Sequence, residues 1–143
     1  MAYEQSSEDR GPGHHLYKYS HIVDRLLESR GCNNRRHCPE RDLVSLFVDQ
    51  VREEDVSRGR EQEFPVTKIY PTITGALTLG GERLAVDGVL LIGEHGDYEK
   101  TAKGQTLYPR YEFFKELVAV FEASGRSVPV FNDKHLSWDW DQS

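Results

Sequence analysis

The chain has 143 residues, 37% of them apolar and 29% charged, with a formal net charge of -6. That length suits one domain with one core, and the acidic balance argues against nucleic acid as the main partner, because phosphate binding needs a basic face. No run approaches the apolar length of a membrane helix and residues 1–13 carry no apolar signal-peptide stretch, so the expectation is a cytoplasmic protein without membrane attachment.

In chain order, residues 1–13 (MAYEQSSEDRGPG) are polar and end in Gly-Pro-Gly, which reads as a flexible segment ahead of a single domain over 14–143. Tyr19, Ile22, Val23, Leu26 and Leu27 recur at helical spacing and predict a helix over 17–29, with Gly31 as its stop. Residues 32–41 are a charged loop holding Cys32, His37 and Cys38. Cys-x5-Cys is not a zinc-knuckle spacing and has no second ligand pair, so these read as ordinary thiols, bridged only in an oxidising compartment. Arg30, Arg35, Arg36 and Arg41 read as a solvated basic patch in the same loop.

Leu43 to Val48 form an apolar run, predicting a strand that ends at Asp49. A charged helix is expected over 53–63 and a short strand over 66–70. Thr72 is placed as the N-cap of a helix carrying Ile73, Ala76 and Leu77, stopped at Gly80-Gly81. A strand over 88–92 follows, then a polar loop over 98–109. Phe114, Leu117, Val118 and Phe121 make one apolar stripe after Pro109 and Arg110, and Gly125 caps that helix. Val128 begins the last strand. Alternating strands and helices with short loops predict an α/β fold, a doubly wound parallel sheet covered by helices on both faces.

Two polar clusters follow the last two strands: Gly93-Glu94-His95-Gly96-Asp97-Tyr98 and Asn132-Asp133-Lys134-His135. A strand–helix–strand unit places both at the carboxyl edge of a parallel sheet, where open α/β folds bind ligands. His95 and His135 are therefore candidates for acid/base work or for a divalent metal, with Glu94, Asp97 and Asp133 as supporting acids. Set against this is a plain structural role, in which the same residues cap loops by bonding backbone amides. Lys134 is either a cation that orients a substrate hydroxyl or a surface partner of Asp133. His14, His15 and His21 join the site only if residues 14–21 approach the same edge. Trp138 and Trp140 cover a sheet edge or pack on a further domain, and an exposed pair would mark an interface such as a homo-oligomer contact.

From Leu43 to Ser137 the chain resembles the nucleotide-binding half of the glucose-fructose oxidoreductase and inositol dehydrogenase superfamily. Asp49 after LVSLFV, the passage FPVTKIYPTITGAL followed by Val86-Asp87-Gly88-Val89-Leu90-Leu91-Ile92, and Asp133-Lys134-His135 after SVPVFN carry the likeness. GEHGDY, YPRYEFFKELV and SGRSVPVFNDKHLS resemble more closely a bacterial group remotely related to that superfamily, which has no activity to transfer. The resemblance implies a Rossmann-like fold, an NAD(P) cofactor whose ribose Asp49 holds, catalytic use of Lys134, and a sugar or polyol as the small-molecule ligand. The sequence departs from it in three ways. It has no Gly-x-Gly-x-x-Gly, no evident first strand ahead of residue 17, and no evident C-terminal substrate domain, so an incomplete sheet is expected.

Three functions follow. The first is an oxidoreductase-type domain acting on a sugar or polyol. The second is a metal-dependent or cofactor-free isomerase, lyase or hydrolase using His95, Asp133 and His135. The third is a non-catalytic ligand-binding or interaction module. The missing fingerprint counts against the first and the clustered polar strand tips count against the third.

Overall fold

The computed structural model describes residues 42–51, 57–93 and 96–142, the side chains of 57 and 60 excepted, and the backbone of four short strands nearer the N-terminus. Those four are β1 (Gln5–Ser6), β2 (Lys18–Tyr19), β3 (Arg30–Cys32) and β4 (Arg35–His37). β1 pairs with β2 and β3 with β4, both antiparallel. This departs from the sequence reading. Lys18 and Tyr19 lie in a strand although the apolar spacing predicts a helix there, and Gly31 sits in a hairpin strand where a helix stop was expected. The rest of 17–29, with Cys38, lies outside the described residues.

The remaining elements alternate: β5 (Ser45–Phe47), α1 (Ser57–Glu63), β6 (Lys68–Tyr70), α2 (Ile73–Thr78), β7 (Val89–Leu91), α3 (Arg110–Ser124) and β8 (Val130–Asn132), then a 3-10 turn at Trp140–Gln142. β5 pairs with β6 and β7 with β8, and both pairs are parallel. The protein is thus mixed α/β, built on short parallel strand pairs. Among the described residues the two pairs are not hydrogen-bonded into one sheet.

β5 and β7 carry the buried apolar residues, while β6 and β8 are only partly covered. Leu46 and Leu91 are fully enclosed, and Leu46 packs with Leu43, Ile69 and Ile92, so side chains bridge the two pairs where backbone bonds do not. Backbone pairing extends past the strand ends: Lys68 N donates to Val44 O at 3.0 Å, Val89 N to Pro129 O at 2.9 Å, and Asp133 N to Leu91 O at 3.1 Å. Buried Thr67 is tolerated because its hydroxyl donates to Leu43 O at 2.6 Å.

Thr72 caps α2 as expected, its Oγ1 accepting from Gly75 N at 2.9 Å. The stop differs by one residue. Leu79 takes the left-handed conformation (φ 52°), and Gly80 continues the turn. α3 ends at Gly125 in the left-handed conformation (φ 61°), as the sequence predicts.

The main core joins Ile73 and Leu77 of α2, Leu84, Val86, Val89 of β7, and Leu117 and Val120 of α3. Phe113, Val118 and Phe121 pack against it. The packed face of α3 thus holds Leu117, Val118 and Phe121 of the predicted stripe and extends to Arg110, Phe113 and Val120, with Phe114 outside the core cluster. Arg126, just beyond α3, holds the approach to β7: it donates to Leu84 O, Val86 O and Asp87 Oδ1, the last at 2.8 Å. These contacts fix where β7 delivers the segment after Leu91.

Candidate functional site

The carboxyl ends of β5, β7 and β8 and the start of α3 are drawn together by side-chain contacts. Asp49 follows β5 and accepts a hydrogen bond from the Tyr98 hydroxyl at 2.8 Å. Next to it, Gln50 exchanges two bonds with Asp97: its Oε1 accepts from Asp97 N at 2.7 Å, and its Nε2 donates to Asp97 O at 3.4 Å. The tip of β5 is thereby tied to the loop after β7.

That loop is tied in turn to α3. The rings of Tyr98 and Tyr108 meet edge to face with centroids 5.8 Å apart, and the Arg110 guanidinium lies 5.0 Å from the centre of the Tyr108 ring. Arg110 is 4% exposed, and its Nη2 stands 3.3 Å from His135 Nε2 after β8. A guanidinium only donates, so this contact requires Nε2 to be the unprotonated nitrogen of His135, leaving Nδ1 as the N–H. A chain of contacts therefore runs Asp49, Tyr98, Tyr108, Arg110, His135, from the end of one strand pair to the end of the other.

Two glycines make this arrangement possible. Gly93 is buried, and a Cβ there would stand 2.9 Å from Arg110 Cγ, so the missing side chain is the space that the arginine stem fills. Gly96 has φ +138°, a conformation L side chains rarely adopt, and a Cβ on it would overlap the Tyr98 ring.

Of the residues expected from the sequence, Asp49 and His135 enter the chain of contacts. Lys134, the neighbour of His135 in sequence, is exposed, its ammonium 2.8 Å from Asp133 Oδ2. Asp133 and His135 thus turn to different partners. Asp97 contributes its backbone to Gln50, with its residue exposed. Glu94, His95, His14, His15 and His21 lie outside the described residues. Among the described residues no three His, Cys, Asp or Glu side chains converge as a metal ion would need.

Sequence reasoning missed Arg110, Tyr98, Tyr108 and Gln50. The signal for Arg110 was available: it stands seven residues before Leu117, on the face α3 buries, and a charged residue on a buried helical stripe marks a special site. One acceptor at this edge is unmatched. The Oδ1 of Asn132, at the end of β8, is buried without a hydrogen-bond partner. A buried acceptor left unmade costs about 1–3 kcal/mol, which the fold bears here.

The described residues do not fit a dinucleotide. The sequence contains no glycine fingerprint to cradle a pyrophosphate. Comparison with known protein families, with curated proteins and with solved structures finds no match. Trp138 and Trp140 are 42% and 90% exposed. Among the described residues no helix is long and apolar enough to cross a membrane.

Proposed function

We propose that this chain is a Rossmann-like, doubly wound α/β domain of oxidoreductase type, remotely related to the glucose-fructose oxidoreductase and inositol dehydrogenase superfamily, that holds a sugar or polyol at the carboxyl edge of its strands. One observation carries the reading. Side chains from the ends of β5, β7 and β8 and the start of α3 reach one another along a single line, Asp49 to His135. Open α/β folds bind small ligands at this edge because backbone groups and loops converge there while the strands behind stay rigid.

The residue types suit a polyhydroxylated molecule. Asp49 offers carboxylate oxygens and Asn132 a buried amide oxygen, all acceptors for ligand hydroxyls. Arg110 and Lys134 carry donors, and His135, its Nε2 turned to Arg110, carries an Nδ1 N–H. An aromatic pair, Tyr98 and Tyr108, supplies a face for the apolar side of a sugar ring. Lys134 is the cation nearest His135 in sequence, and as a flexible ammonium it is the group that would orient a ligand hydroxyl or pass it a proton. The reading assigns no step to a nicotinamide, because the described residues provide no cradle for one.

Native mass spectrometry with NAD+, NADP+, myo-inositol, glucose and divalent metals tests the proposal in one experiment. Adducts with the polyol or sugar at millimolar concentration, lost in Arg110→Ala, are expected. A dinucleotide complex tighter than about 10 μM, near -7 kcal/mol, would replace this reading with a cofactor-bearing one.

A further inference from the structure

We propose that residues 96–98 form a strap over the carboxyl end of β5, and that the Tyr98 hydroxyl occupies Asp49 in place of a ligand hydroxyl, so that the strap decides what reaches this carboxylate. The ligand half of the proposal rests on Asp49 being a hydroxyl acceptor, as proposed above.

The strap has a hinge, a clasp and a backing. The hinge is Gly96, whose φ of +138° lets the chain double back so that Tyr98 lies against it. The clasp has two parts. One is the bond from the Tyr98 hydroxyl to Asp49 Oδ2 at 2.8 Å, and the other is the amide-like exchange between Gln50 and the Asp97 backbone. The backing is Tyr108, against whose ring Tyr98 rests edge to face.

The clasp is exposed and the hinge is a glycine, free of the Cβ that would restrict it, which suits a releasable segment. Solvent-exposed hydrogen bonds are individually weak, and water can replace them when the strap lifts. The phenol also has the chemistry of the group it would stand in for. A hydroxyl donating to one carboxylate oxygen at 2.8 Å is the contact that one hydroxyl of a vicinal diol makes. A diol that bonds both oxygens of Asp49 competes with Tyr98 at Oδ2, whereas a ligand with a single hydroxyl can use Oδ1 and leave the strap closed.

Hydrogen exchange of the ligand-free protein tests the strap. Tyr98→Phe keeps the ring and removes the clasp, and it is expected to speed exchange of the Asp97 and Tyr98 amides about fivefold, the weight of one such bond. Asp49→Ala should do the same, and the double variant should go no further than either single one. Unchanged exchange in the single variants, or effects that add in the double, would overturn the strap. Calorimetry with myo-inositol and NAD+ tests the guard on Asp49. Tyr98→Phe is expected to bind a diol-bearing probe about threefold to tenfold tighter than the unaltered protein. Weaker binding would make Tyr98 a ligand contact and overturn the guard. If neither chain binds either probe, the reading of Asp49 as an acceptor fails, and the exchange result alone decides the strap.

Discussion

Replacing Gly93 by alanine should destabilise the protein through one side chain, Arg110. The new Cβ would stand 2.9 Å from Arg110 Cγ and 3.7 Å from Cδ. Carbon atoms pack at about 3.5 Å or more, so the stem must retreat by at least about 0.6 Å. It has little room to do so. Arg110 is 4% exposed, it lies over Tyr108, and its tip meets His135. Overpacking of this kind costs about 1–3 kcal/mol. Gly93 is not in the left-handed region, so alanine also stiffens the unfolded chain and returns roughly 0.4–1 kcal/mol. The net expectation is a loss of about 1–2 kcal/mol, a fall in Tm of roughly 3–8 °C for a chain of this size. Urea unfolding followed by circular dichroism measures it. The decisive comparison is the same change in an Arg110→Ala background, where the methyl enters vacated space and the cost should fall below about 0.5 kcal/mol. An equal cost in both backgrounds would refute the claim that Gly93 exists to seat Arg110.

Leu117→Ala removes a fully buried side chain where α2, β7 and α3 meet, and should cost about 2–5 kcal/mol by urea denaturation. Thr72→Ala removes the α2 cap and should cost about 1 kcal/mol in the same assay, with Thr72→Ser recovering most of it. Trp140→Ser should leave stability within about 0.5 kcal/mol, since the ring is 90% exposed, and a change in mass by light scattering would mark that ring as an interface. Lys134→Met should alter stability by less than about 1 kcal/mol, as expected for an exposed pair with Asp133, while weakening polyol binding in calorimetry.

The strands β5, β7 and β8 were legible in the sequence as short apolar stretches bounded by polar or glycine residues and β6 as a short stretch ahead of Pro71, and the parallel pairing within each pair followed from the helices between them. The failure over 17–29 has a physical cause. It concerns Lys18 and Tyr19 alone, which have a backbone partner in β1 that helical spacing of apolar residues does not reveal, while the rest of that span lies outside the described residues. Three of the four residues of the predicted α3 stripe, Leu117, Val118 and Phe121, do face the core, but the stripe was started at Phe114 where Phe113 packs, and Arg110 was placed ahead of the helix rather than on its packed face. Asp49 and His135 were legible as residues after strands. Their partners were not, because Tyr98 reaches Asp49 across 49 positions and Arg110 reaches His135 across 25, distances at which no local pattern operates.

The central claim is that the strand tips form one ligand site running from Asp49 to His135. Amide chemical-shift mapping on nitrogen-15-labelled protein, titrated with myo-inositol, tests it most directly. The account predicts that the amides of Asp49, Asp97, Tyr98, Arg110 and His135 shift together along one saturation curve, with those of Leu117 and Trp140 unmoved. Shifts confined to α2 or to residues 138–142, or separate curves for Asp49 and His135, would contradict it.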